Sequence, residues 1–208
     1  GWSNWAGGDP LLNTFVGYPE GELARLVFHE LAHQVVYVPD DTAFNESFAT
    51  AVERLGSARW LLRHGSESAN LDYAIFDQRR QQFRALTRAT RLQLKQIYMI
   101  NKPVAGVNIA NSAINNIAKD EIYREFRAHY EALKSSWGGY AGYDNWVKNA
   151  NNASFGALAA YDDFVPAFEA LFEKSNGDWL KFYAAVNDLA NLSKEQRLKA
   201  LMNVAQNS

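Results

Sequence analysis

Apolar residues recur at three-and-four spacing along most of the chain, and no stretch keeps the alternation of a half-buried strand. The pattern predicts a first helix over residues 20–37, with acids in its opening turn where the helix dipole favours them. Val38-Pro39-Asp40-Asp41 breaks it, and a second helix follows over 42–64, ending at Gly65. A third, over 67–101, carries Phe76, Phe83, Leu86, Thr90, Leu94 and Ile97 on one stripe. A fourth, over 110–137, does the same with Tyr123, Phe126, Tyr130 and Leu133. These two are expected to form a long antiparallel hairpin, 67–137. Beyond the glycine-rich loop 138–142 come a short helix, 143–148, and helices near 152–174, 178–191 and 194–205. Ser193 and Gln196 make a capping box for the last. Residues 1–19, rich in Gly, Pro, Asn and Trp, read as an irregular lead-in. The expectation is an all-α fold forming one domain over 1–208.

Composition narrows the picture. A chain of 208 residues can bury a sizeable core without staples. Its net charge of -2 gives no general attraction to nucleic acid or anionic lipid. Arg80, Arg84, Arg88, Arg91 and Lys95 do form a basic stripe on the third helix. Asp120, Glu121, Glu125 and Glu131 on the fourth are placed to neutralise it, so the stripe reads as a solvated, ion-paired face and no nucleic-acid partner is expected. The absence of cysteine excludes thiolate metal sites and cysteine catalysis. No apolar run approaches the ~20 residues of a membrane span. The chain opens on Gly1-Trp2, which reads as a processed or engineered start and leaves room for residues upstream.

The chemistry is concentrated in His29-Glu30-Leu31-Ala32-His33. On a helix, positions i and i+4 share a face, so both imidazoles can reach one tetrahedral metal. Glu30 lies beside that metal, placed to take a proton from water. Asn45-Glu46-Ser47-Phe48-Ala49 begins twelve positions after His33 and supplies a candidate third ligand in Glu46. If the first two helices form an antiparallel hairpin turning near Pro39-Asp40, facing positions sum to about 79, which sets His33 beside Glu46 and His29 beside Thr50. Two neutral imidazoles and one carboxylate leave Zn²⁺ an open fourth position, a hydrolase arrangement rather than a closed structural site. A metal-bound imidazole usually gives its other N–H to a partner. Thr50 and Glu53, one and two turns beyond Glu46, are the candidates to orient His29, and for each a purely structural reading is equally open.

His29-Glu30-Leu31-Ala32-His33-Gln34 followed by the run Asp41 to Thr50 resembles the predicted bacterial zinc aminopeptidases, a gluzincin-like group. Asp9-Pro10-Leu11-Leu12-Asn13-Thr14, the segment Pro19 to Leu26, Asn151-Asn152-Ala153, Tyr161 and Val165-Pro166-Ala167-Phe168 extend the resemblance over most of the chain. It implies a zinc site of His29, His33 and Glu46 with Glu30 catalytic, a peptide substrate, and a place in the bacterial periplasm or cell envelope. It also makes Tyr161 the first candidate to stabilise an oxyanion, with Tyr140 and Tyr143 as alternatives. Asn151 and Asn152 are candidates for holding substrate backbone, although a helix cap is the favoured role there. Two features depart from better-known gluzincin aminopeptidases: the spacer of twelve before Glu46 is short, and no Gly-x-Met-Glu-Asn element is present.

Two functions follow from this reading. One is a zinc-dependent metallopeptidase, an aminopeptidase by resemblance. The alternative is a non-catalytic helical binding module that retains a vestigial or structural metal site and uses the 67–137 hairpin as an arm. An intact Glu30 argues for the first, because a structural site has no use for a carboxylate there. His64 and His129, outside the motif, read as structural.

Overall fold

The structure is a computed structural model that describes residues 18–100, 110–162 and 164–206. Most of the expected lead-in, 1–19, lies outside the described residues. Among those described there is no strand, and the all-α class expected from the apolar spacing holds.

Nine helices are described: α1 (Glu20–Val35), α2 (Thr42–His64), α3 (Glu67–Ile100), α4 (Ala110–Ser136), α5 (Asp144–Lys148), α6 (Asn152–Asp162), α7 (Val165–Lys174), α8 (Trp179–Ala190) and α9 (Lys194–Gln206). The single helix expected over 152–174 is two. Phe164 caps α7, and Pro166 stands in its first turn. A proline there suits a helix start, because it lacks the N–H that an interior position must donate. The predicted box at the start of α9 is present: Gln196 N–H donates to Ser193 Oγ at 3.3 Å, and Ser193 N–H to Gln196 Oε1 at 3.2 Å.

The chain divides into two compact units, Gly1–Ala74 with Ala160–Ser208, and Ile75–Ala159. In the second, α3 and α4 run antiparallel. Trp137 Nε1–H donates to Gln82 Oε1 at 2.6 Å near one end, and further along Phe83 meets Tyr130 with ring centroids 6.1 Å apart. Phe126, Tyr130 and Phe155 are buried in this unit's core.

The first unit is organised around α2, which packs against α1 and α7. Its face is buried almost all the way round, from Phe44 and Phe48 to Gly56 and Leu61, so it is a core helix rather than an amphipathic surface one. Phe48 contacts Phe168 of α7 and Phe182 of α8, while α9 adds Leu201. Gly56 lets α1 approach closely: a Cβ there would stand 3.0 Å from the Phe28 ring.

The turn between α1 and α2 sets the register of the two helices. Val36 leaves the helix in an extended conformation, and Asp40 adopts φ 61°, a left-handed conformation that aspartate tolerates better than most residues. Asn45 then closes the turn. Its side-chain oxygen accepts from Val38 N–H at 2.8 Å, and its amide donates to Val38 O at 2.7 Å. Both bonds are buried, so losing them strands a backbone donor and acceptor. Asn45→Ala is expected to destabilise the protein by about 2–3 kcal/mol in urea unfolding. A loss under ~1 kcal/mol would mean that the turn does not depend on the side chain.

Candidate metal centre

One face of α1 and one of α2 converge just beyond this turn. His29 and His33, one helical turn apart, present their Nε2 atoms 3.3 Å from each other, with the rings nearly perpendicular at 84°. Glu46, in the second turn of α2, reaches both: Oε2 lies 3.4 Å from His29 Nε2 and Oε1 3.7 Å from His33 Nε2. The facing pair His33 and Glu46 expected from the antiparallel turn is thus brought together, and Glu46 meets His29 as well.

The donor set fits a small tetrahedral cation. Ligand atoms about 2.0–2.1 Å from a tetrahedral centre stand about 3.3 Å apart, close to the separations seen here. One ligand atom from each of His29, His33 and Glu46 can be chosen so that all lie within 4.8 Å of one another. The three side chains are 19–21% exposed, shielded yet open to solvent on one side.

The protons are arranged to suit this. His29 Nδ1 lies 3.0 Å from Glu53 Oε2, so the neutral ring donates its proton there and leaves the Nε2 lone pair facing the cluster. Of the two residues read as orienting His29, Glu53 meets Nδ1, while Thr50 lies buried in α2. Burial works against a charged His29, but the bond to Glu53 and the carboxylates around it outweigh that and raise its pKa. Burial and the adjacent His29 instead lower that of His33, which favours the neutral form a ligand needs. His33 Nδ1 is buried with no hydrogen-bond partner among the described residues, so nothing behind this second ring plays the part that Glu53 plays for His29.

Glu30 follows His29 directly, on the exposed side of α1. It is not among the three grouped ligands, which is what a proton-transfer role requires. Tyr161 falls in α6, and its side chain lies outside the described residues.

The remaining candidates sit in the second unit and have partners there. Asn151 Oδ1 accepts from Ser154 N–H at 3.1 Å at the start of α6, the favoured capping role. Asn152 Oδ1 accepts from the Tyr123 hydroxyl at 2.7 Å. Tyr143 stacks on Phe83 at 4.0 Å, and Tyr140 lies under the Arg79 guanidinium at 4.4 Å.

Two residues around the site escaped the sequence reading. Asn45 was legible only as part of its motif, and its hold on the turn needs the structure. Arg25 lies one turn before His29 on the same face of α1, and it pairs directly with Glu53. The i−4 spacing was a usable signal for it.

Fold and site together define an all-α protein with a two-histidine, one-carboxylate cluster able to hold a metal ion. Residues 1–201 match the family described as "Putative aminopeptidase", and the chain belongs to that family. No curated protein and no solved structure matches it. Among the described residues, no helix is long and apolar enough to cross a membrane.

Proposed function

We propose that the protein is a zinc-dependent aminopeptidase in which His29, His33 and Glu46 hold the metal and Glu30 is the general base. The observation that carries this reading is the convergence of two imidazole Nε2 atoms and one carboxylate at separations suited to a tetrahedral ion. Family membership supports peptide hydrolysis as the reaction class. Its gluzincin character and a place in the bacterial cell envelope are proposed on the resemblance of the motifs.

When bound, zinc supplies Lewis acidity, polarising a peptide carbonyl and making water easier to deprotonate. The chain's own residues do the rest. Glu53 fixes the His29 ring so that Nε2 faces the cluster. Glu30 accepts the proton of the attacking water and passes it to the departing amine. The partial exposure of the three ligands leaves a path for substrate.

Elemental analysis tests the metal first. Purified protein, stripped with chelator and resupplied with zinc, is expected to carry about one ion per chain, with little bound by His33→Ala. The loaded protein should hydrolyse aminoacyl amides and lose that activity with chelator. Failure of the wild-type chain to take up zinc overturns the metal assignment. Zinc uptake without turnover on any peptide or amide overturns the enzymatic one.

A further inference from the structure

The cluster is backed by a charged chain that runs along α1. Arg25 packs its guanidinium on Glu53 Oε1, while the other carboxylate oxygen, Oε2, lies 3.0 Å from His29 Nδ1. On its far side, Arg25 Nη1 stands 3.7 Å from Glu22 Oε2. The series Glu22, Arg25, His29 and His33 therefore follows one face of a single helix, and Glu53 of α2 bridges its middle two members.

The Arg25 side chain is 14% exposed and that of Glu53 8%. Placing a guanidinium in so sheltered a position carries a desolvation cost that a water-facing arginine avoids. Its Nε is also buried without a hydrogen-bond partner among the described residues, a further cost. Its closest contact is on the carboxylate that meets His29 from behind, at Nδ1. A glutamate has three side-chain torsions, and one hydrogen bond from an imidazole does not fix them. A guanidinium on Oε1 takes up one oxygen and leaves the other directed at His29.

We infer that Arg25 is a positioning residue for the metal centre: by holding Glu53 through Oε1 it keeps Oε2 on His29 Nδ1 and so keeps His29 Nε2 free to bind the ion. This rests on the zinc site proposed above. Arg25 also balances the charge of Glu53.

The experiment measures zinc affinity by competition with a chromogenic chelator, in the full chain, for wild type, Arg25→Met, Arg25→Lys, Glu53→Ala and the Arg25→Met/Glu53→Ala double variant. Arg25→Met is expected to weaken zinc binding about 10–100-fold, the usual effect of losing a group that supports a ligand from behind. Arg25→Lys, which keeps the charge without the planar fork, should fall between. Adding Arg25→Met to Glu53→Ala should cost little more, because Arg25 acts through Glu53. Wild-type affinity in Arg25→Met, or an equal loss in both backgrounds, overturns the inference.

A second readout needs no metal. Nitrogen-15 spectra of the metal-free protein report which nitrogen of His29 carries the proton. At a pH high enough for the ring to be neutral, wild type should show Nδ1–H, and Arg25→Met a mixture of the two tautomers. An unchanged tautomer in a helical, folded Arg25→Met overturns the role of Arg25. Absence of zinc binding by wild type overturns the metal reading alone, and the tautomer comparison still decides on Arg25.

Discussion

Glu30→Gln is expected to lower kcat/KM for aminoacyl amide hydrolysis by about 10²–10⁴-fold while zinc content stays near one per chain. The amide matches the carboxylate in size but cannot accept a proton, so the variant removes one function and little else. Metal retention follows from the geometry. The proposed ligands are Nε2 of His29, Nε2 of His33 and a Glu46 oxygen, and Glu30 is not one of the three residues grouped to hold an ion. The pairing of the two measurements is what makes the result informative. Lost activity with lost zinc would make Glu30 a ligand or a structural residue. Undiminished turnover with zinc in place would remove the proposed proton transfer.

Arg197→Met is expected to cost about 3–5 kcal/mol of stability, out of the ~5–15 kcal/mol that holds a typical domain folded. Asp41 is buried, and its Oδ2 receives Arg197 Nε and Nη2, each at 2.9 Å. Its other oxygen accepts from Phe44 N–H at 3.3 Å and so caps α2. Removing the guanidinium leaves a carboxylate in the interior with a single backbone donor, the costly way to break a buried pair. The same guanidinium donates to the carbonyls of Ala190 and Leu192 and lies 5.1 Å from the Phe44 ring centroid. The variant therefore loosens the end of α8, the start of α2 and the seat of α9 together. Urea unfolding followed by helical ellipticity measures the change. A shift under ~1 kcal/mol would show that the carboxylate finds water or another donor when its partner is gone.

The contrast between these residues marks what a sequence can disclose. His29, His33 and Glu46 were legible because a helix repeats every four positions and a short antiparallel turn pairs positions of constant sum. Both rules are local. Glu53 was legible by the same face argument, although geometry alone separates it from Thr50. The break between α6 and α7 is hidden in the sequence because Leu158, Tyr161, Val165 and Phe168 keep three-and-four spacing through it, and only Pro166 signals a new start. Arg197 could not be matched to Asp41 across 156 positions, since nothing in the spacing of one announces the other. Arg25 was within reach at four positions from His29, but an arginine on a partly exposed helix has many ordinary explanations.

That difference in span bears on the order in which the molecule forms. His29 and Glu46 are seventeen positions apart (46 minus 29), and closing a loop that short sacrifices little chain freedom. Contacts this close in sequence can be made early, before distant segments have met. The ion pair between Asp41 and Arg197 belongs to the other extreme and must wait for the C-terminal helix to arrive. Span alone thus favours closing the hairpin of α1 and α2 first and seating α9 on its turn afterwards.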